Sequence, residues 1–215
     1  MAKTESTFKN MLLTLTLIAF VAATCLGFVY EMTKKPIEMA ALQKKLDAIK
    51  MVVPEFTNNP DEEVFRVATG EGDSLDVYPA RKDGVLTGYA VNSYTKSGFS
   101  GDIRIMAGFR PDGTINNIAV IEHKETPGLG TKMDEPAFKN QFIGKNPSDF
   151  ELRVNKDGGP IDAITAATIS SRAFCDAVQR AYNSLFAGGG LDGVSGSTGS
   201  DDPAATNEPE KKENQ

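Results

Sequence analysis

From Met11 to Tyr30 the chain reads MLLTLTLIAFVAATCLGFVY, about 20 residues without a charged side chain. At ~1.5 Å of helical rise per residue, that run matches a hydrocarbon core of roughly 30 Å. It therefore reads as one transmembrane helix, with everything folded placed outside the bilayer. A cleaved signal peptide is the alternative, with Lys3 and Lys9 as its positive start. Signal peptides have shorter apolar cores, and here Leu26, Gly27, Phe28 and Val29 continue past any Ala-x-Ala-like site. Thr24 before Cys25 is also a poor lipoprotein signal. Charge alone favours the C-terminal domain on the cytoplasmic side, since Lys34, Lys35, Lys44 and Lys45 follow the helix and only Lys3 and Lys9 precede it.

Composition matters for what it excludes. With 40% hydrophobic and 24% charged residues, the 215-residue chain has enough apolar material for a folded domain with a core. A formal charge of −6 with no run of Lys and Arg argues against nucleic acid as a partner. Cys25 and Cys175 lie in unlike surroundings, and no CxxC or Cys/His cluster offers a metal site. His123 is the only histidine, a strand-end residue in this reading, so a His-centred triad has no basis. No metal ligands and no catalytic side chains are expected. Redox work by such a chain requires a bound organic cofactor.

After the apolar run, Thr33 to Met51 is helical in pattern, with Pro36 suited to a first turn and Pro54 ending the segment. Strands are predicted over Glu63–Ala68, Leu75–Tyr78 and Val85–Tyr94. The clearest hairpin joins Ile103–Phe109 to Thr114–Glu122 through Arg110-Pro111-Asp112-Gly113, where Pro presets the turn and Gly accepts positive φ. Asp134 is placed to cap a short helix over Glu135–Phe142, and Phe150–Val154 is read as a strand. A last helix covers Ser170–Phe186, its buried stripe being Phe174, Ala177, Val178, Ala181 and Leu185. Beyond Ala187 the Gly, Ser, Asp, Pro, Glu and Lys residues give a disordered tail. Strands in hairpins without regular helix alternation point to an α+β domain with a mostly antiparallel sheet.

One segment suggests a ligand site. Asp162-Ala163-Ile164-Thr165-Ala166-Ala167-Thr168-Ile169-Ser170-Ser171 opens the last helix with small residues and hydroxyls. A helix N-terminus with unpartnered amides is a ready phosphate site. The bland alternative is an N-cap that happens to be rich in Thr and Ser.

The pattern Asp162-x-x-Thr165-Ala166-Ala167-Thr168 resembles the flavinylation signature Asp-x-x-(Ser/Thr)-Gly-Ala-(Ser/Thr). Upstream, Glu122 to Gly130 (EHKETPGLG) and Gly98-Phe99-Ser100-Gly101 resemble the flavin-facing segments of the same family. With the N-terminal anchor and the order of segments, residues 8 to 186 resemble the RnfG component of the Rnf ion-translocating electron-transport complex. The resemblance implies FMN joined by its phosphate to Thr168 through a separate flavin transferase. It implies contacts from Asp162, Thr165, Ala166, Ala167, Ser170 and Ser171 on the phosphate side. On the ring side it implies Glu125, Thr126, Gly128, Leu129, Gly130, Gly98 and Phe99. It further implies a role as an electron-carrying component, incomplete alone, in a membrane complex that couples ferredoxin–NAD electron transfer to Na⁺ or H⁺ movement. The flavin domain would lie on the outer side of the bacterial inner membrane, against the charge count.

The divisions that follow are a tail over 1–10, the transmembrane helix over 11–30, a stalk helix over 31–54, an FMN-binding domain over 55–186 and the disordered tail over 187–215. One departure is Ala166, where the signature more often has Gly; a backbone needing positive φ there would be strained by Ala. The NqrC component of a sodium-pumping NADH:quinone oxidoreductase shares the attachment chemistry and is the nearest alternative. A membrane-tethered module binding flavin noncovalently, or an assembly protein without cofactor, remain alternatives of other classes.

Overall fold

The computed structural model describes residues 7–188, and the predicted tail from 189 onward lies outside them. α1 is one unbroken helix, Phe8–Val52, 45 residues long. The apolar run and the expected stalk are thus a single rod of about 67 Å at ~1.5 Å per residue. Pro36 sits in its interior, not in a first turn. Proline removes one backbone bond there, but the flanking Met32, Lys34, Lys35, Met39, Ala40, Ala41 and Leu42 favour helix strongly enough to carry it through.

β1 (Phe65–Ala68), β2 (Ser74–Lys82), β3 (Val85–Thr95), β4 (Ile103–Phe109) and β5 (Ile115–Glu122) form a five-stranded antiparallel sheet in chain order. β2 runs past the predicted end at Tyr78, through Pro79. β1 pairs only with Ser74–Val77, so Pro79 borders no strand on its outer side. Its carbonyl there accepts from Asn58 Nδ2 at 2.9 Å, and no ladder donor is lost. The hairpin from β4 to β5 turns where expected, with the Gly113 amide donating to the Arg110 carbonyl at 3.0 Å.

Three predicted elements change. A 3₁₀ turn over Gly130–Asp134 leads into α2, which is only Pro136–Lys139. Glu135 precedes α2 without a side-chain cap, and Asp134 instead accepts from Lys139 Nζ at 2.6 Å. Phe150–Val154 is not a strand: Val154 makes a single parallel bridge to Ile161, followed by a 3₁₀ turn over Asn155–Asp157. With only that one bridge, the segment has no neighbouring strand to extend along. α3 spans Thr168–Tyr182 and continues as a π turn over Asn183–Ala187.

The sheet is sandwiched. α3 covers one face, where Phe174, Ala177, Val178 and Ala181 join Val77, Val91, Ile105 and Phe109 in the main core. Ser93 Oγ donates to the Ala177 carbonyl at 2.7 Å and Thr95 Oγ1 to Asp176 at 2.6 Å, which fixes where α3 lies on β3. The last turns of α1 cover the other face, with Ala48, Ile49 and Val52 against Tyr78, Ala90, Met106 and Ala119. α1 runs antiparallel to β5: Asn116 Nδ2 donates to Val52 O, and Lys44 Nζ to Ile121 O. The rest of α1 therefore leaves the domain at the end of the sheet where β5 finishes.

Candidate functional site

At that end of the sheet lie the segment between β3 and β4, the segment after β5 and the start of α3. Between them is a cavity of about 350 Å³, lined by Phe99, Glu125, Thr126, Leu129, Gly130 and residues 166–170. The size is in the range of small-molecule sites.

Two turns shape the walls. Thr126-Pro127-Gly128-Leu129 closes through the Leu129 amide on Thr126 O at 3.2 Å, with Gly128 at φ 76°. That is type II geometry, with Pro at the second position and Gly at the third. Ile164-Thr165-Ala166-Ala167 closes the same way, the Ala167 amide on Ile164 O at 3.0 Å, with Ala166 at φ 61°. The third position of the second turn thus requires the left-handed conformation, where Gly is the residue without strain.

The second turn delivers the chain into α3. Its N-cap is Ala167, with no side-chain cap bond, so the bland reading of a Ser/Thr cap is not what occurs. The first α3 amides have no carbonyl one turn back to accept them. Ser171, wholly buried, is spent within the protein: its hydroxyl accepts from the Ile164 amide and donates to Ala167 O, both at 2.9 Å. Asp162 is anchored away from the cavity, its Oδ1 accepting from Asn155 Nδ2 at 2.9 Å and its amide donating to Gln141 Oε1 at 2.7 Å. Thr165 is exposed on the turn.

Glu125 is the structural centre of the site. It is 5% exposed, yet its carboxylate accepts from the Ser100 amide at 3.0 Å (Oε1) and from Ser170 Oγ at 2.7 Å (Oε2). One carboxylate thereby ties the three wall segments together. The glycines explain how: a Cβ on Gly98 would come within 2.8 Å of Oε1, and one on Gly130 within 2.6 Å of Oε2. The Glu125 amide donates to His123 Nδ1 at 3.2 Å, so the lone histidine braces the loop at the strand end.

Around the rim stand large apolar side chains that the core leaves uncovered: Phe99 at 66% exposure, Leu129 at 41% and Ile169 at 46%. Glu125 is the only charged residue of the ten described residues lining the cavity. Arg172, one turn beyond Thr168, is engaged by Asp157 in two bonds of 2.6 Å. That guanidinium holds the Asp157 carboxyl below its ordinary range.

Of the residues expected at a flavin site, Phe99, Glu125, Thr126, Leu129, Gly130, Ala166, Ala167, Thr168 and Ser170 line the cavity. Gly98, Gly128, Asp162, Thr165 and Ser171 are not among them; Gly98, Gly128, Asp162 and Ser171 act through the shape of its walls. Sequence reasoning missed Ile169. The signal for it was an apolar residue at the helix start, off the buried stripe. Uncapped helix amides beside a hydroxyl, facing exposed apolar side chains, suit a ligand with a phosphate end and a flat apolar end. FMN has both.

The FMN-binding domain family model matches residues 98–183. The RnfG protein of Aliivibrio fischeri, part of an ion-translocating oxidoreductase complex, is 33% identical over 189 residues, spanning 82% of this chain and 89% of that protein. The RnfG protein of Erwinia tasmaniensis is 36% identical over 177 residues, spanning 78% and 84%. That of Haemophilus influenzae is 33% identical over 176 residues, spanning 76% and 84%. A crystal structure of Shewanella oneidensis NqrC superposes with a TM-score of 0.42 at 24% identity, covering 64% of this chain and 73% of that one.

Proposed function

The chain belongs to the RnfG family of ion-translocating oxidoreductase complexes, and on that premise we propose that it carries electrons on an FMN esterified through its phosphate to Thr168. It is a membrane-associated, FMN-binding flavoprotein component of an oxidoreductase complex. In the finer reading, a flavin transferase attaches the FMN and the domain faces the outer side of the membrane. The complex moves electrons between ferredoxin and NAD and couples them to Na⁺ or H⁺ translocation. Among the described residues no G-x-G-x-x-G motif follows a strand and opens a helix, so in this reading the nicotinamide is bound by another member of the complex.

The observation that carries the ester is the position of Thr168. Its hydroxyl belongs to the first residue of an uncapped α3, on the wall of a cavity that has no cation among its described lining residues. A phosphate held there noncovalently would have helix amides but no lining Lys or Arg to answer its charge. A covalent bond retains the group without that charge pairing, and the resulting diester keeps one negative charge for the helix amides to face. When bound, FMN supplies reversible electron transfer. Phe99, Leu129 and Ile169 offer apolar surface for the ring, and the type II turns hold the two walls apart.

The test is intact mass, under denaturing conditions, of the protein from its native membrane beside a Thr168→Val variant. An increment of one esterified FMN in the wild type, absent from the variant, is the expected result. Unmodified wild type, with the host's flavin transferase active on another target, overturns the ester and leaves a noncovalent flavin module.

A further inference from the structure

We infer that the buried carboxylate of Glu125 holds down the reduction potential of the flavin site, in addition to pinning its walls; this rests on the reading that FMN occupies the cavity. Glu125 is the only charged residue among the described residues lining the cavity, and it is only 5% exposed. Its side chain meets two dipoles, the Ser100 amide and the Ser170 hydroxyl. Among the described residues no Lys, Arg or His forms an ion pair with it.

A carboxylate so placed is costly, and a purely structural pin did not need to be charged. A Gln would reach the same two groups, accepting from the Ser100 amide and donating to Ser170 Oγ. What Glu adds over Gln is a negative charge under little water. An electron arriving from a partner redox centre adds negative charge to the same cavity, and the two repel. At an effective dielectric of about 20, charges sharing one cavity shift such an equilibrium by about tenfold or more.

The experiment compares full-length wild type, Glu125→Gln and Ser170→Ala by spectroelectrochemical titration of the flavin against reference dyes, after absorbance of the native protein and denatured intact mass establish the total and the covalent flavin of each. Glu125→Gln keeps the shape and removes the charge, so its equilibrium constant for reduction should rise about tenfold. Ser170→Ala keeps the charge and withdraws a donor that offsets it, so its constant should fall. A structural pin predicts no such opposition of sign. A loaded Glu125→Gln protein with the wild-type potential overturns the inference while leaving the ester intact. Should that variant not fold, a Ser170→Ala potential equal to or above the wild type overturns it instead. Wild type without flavin overturns both readings.

Discussion

Ala166 sits at φ 61° in the third position of the Ile164–Ala167 turn. An L-residue with a Cβ in the left-handed region costs roughly 1–2 kcal/mol. Ala166→Gly removes that cost and restores chain entropy to the unfolded state, which takes back roughly 0.4–1 kcal/mol. Ala166 is exposed, so little buried surface is lost with its methyl. The net expectation is stabilisation by about 0.5–1 kcal/mol, the reverse of an ordinary Ala→Gly change. For a chain of this size that raises the midpoint by about 1–4 °C. The assay is denaturation of full-length, flavin-free protein in detergent, followed by tyrosine fluorescence; the chain has no Trp, and Tyr78, Tyr89, Tyr94 and Tyr182 all lie in the sheet-bearing domain. Ala167→Gly is the control, because Ala167 has φ −137° and is buried, so it should lose stability. If Ala166→Gly instead loses about 1 kcal/mol, as the control does, the turn is not strained as argued. Since the glycine keeps the same turn, esterification at Thr168 should not decline in the variant.

Ser171→Ala leaves the buried Ile164 amide without its acceptor, and should cost about 1–3 kcal/mol in chemical denaturation; an unchanged midpoint would show the turn does not depend on that hydroxyl. Gly130→Ala drives a methyl to within 2.6 Å of Glu125 Oε2 and 2.7 Å of Ser170 Oγ. It should lose about 1–3 kcal/mol and the flavin absorbance together, and wild-type stability would mean the carboxylate clasp yields readily. In a Cys25→Ser variant the remaining thiol is Cys175, pushed by burial from 9.0 to about 12. It should resist alkylation at pH 8 until the chain unfolds. Because the folded value is the higher one, the stability it lends is present below pH 9 and is lost as pH rises toward 12; rapid labelling of the folded protein would contradict the packing around α3.

The sheet was legible where chemistry is local. Pro111 and Gly113 announced the β4–β5 hairpin, and the last helix followed from the spacing of Phe174, Val178, Ala181 and Leu185. Asp83-Gly84, between β2 and β3, carries the same kind of signal: both residues have positive φ, 53° and 81°, and an Asp-Gly pair favours a two-residue hairpin. A strand that stops at Tyr78 leaves that turn signal joined to Val85–Tyr94 on one side and four residues short of a strand on the other, which is why it points to no hairpin in the sequence alone. Pairing decided the other differences. Pro79 is tolerated only because β1 stops short of it, and Phe150–Val154 is not a strand because only Ile161 bridges it, from Val154; neither fact is local. The site divides likewise. Its residue types marked the loops and the helix start, while Ser171, Gly98 and Asp162 turned out to hold the walls, since hydroxyl and carboxylate partners are chosen by tertiary packing.

The continuity of α1 gives the site a fixed relation to the apolar N-terminal run. A stalk hinged at Pro36 would let the domain turn freely, but the helix runs unbroken from Phe8 into the buried contacts of Ala48, Ile49 and Val52. The apolar run ends at Tyr30 and Lys44 already touches β5 at Ile121. About 14 residues therefore separate the end of the apolar run from the sheet, roughly 21 Å of helix. Because α1 is antiparallel to β5, it departs from the sheet end where β5 stops, and the Glu125–Gly130 segment begins just there. The cavity consequently lies at the same end of the sheet from which α1 departs. With the apolar run of α1 in a bilayer, as proposed, a partner docking on the opposite end of the sheet would be on the far side of the domain from the site.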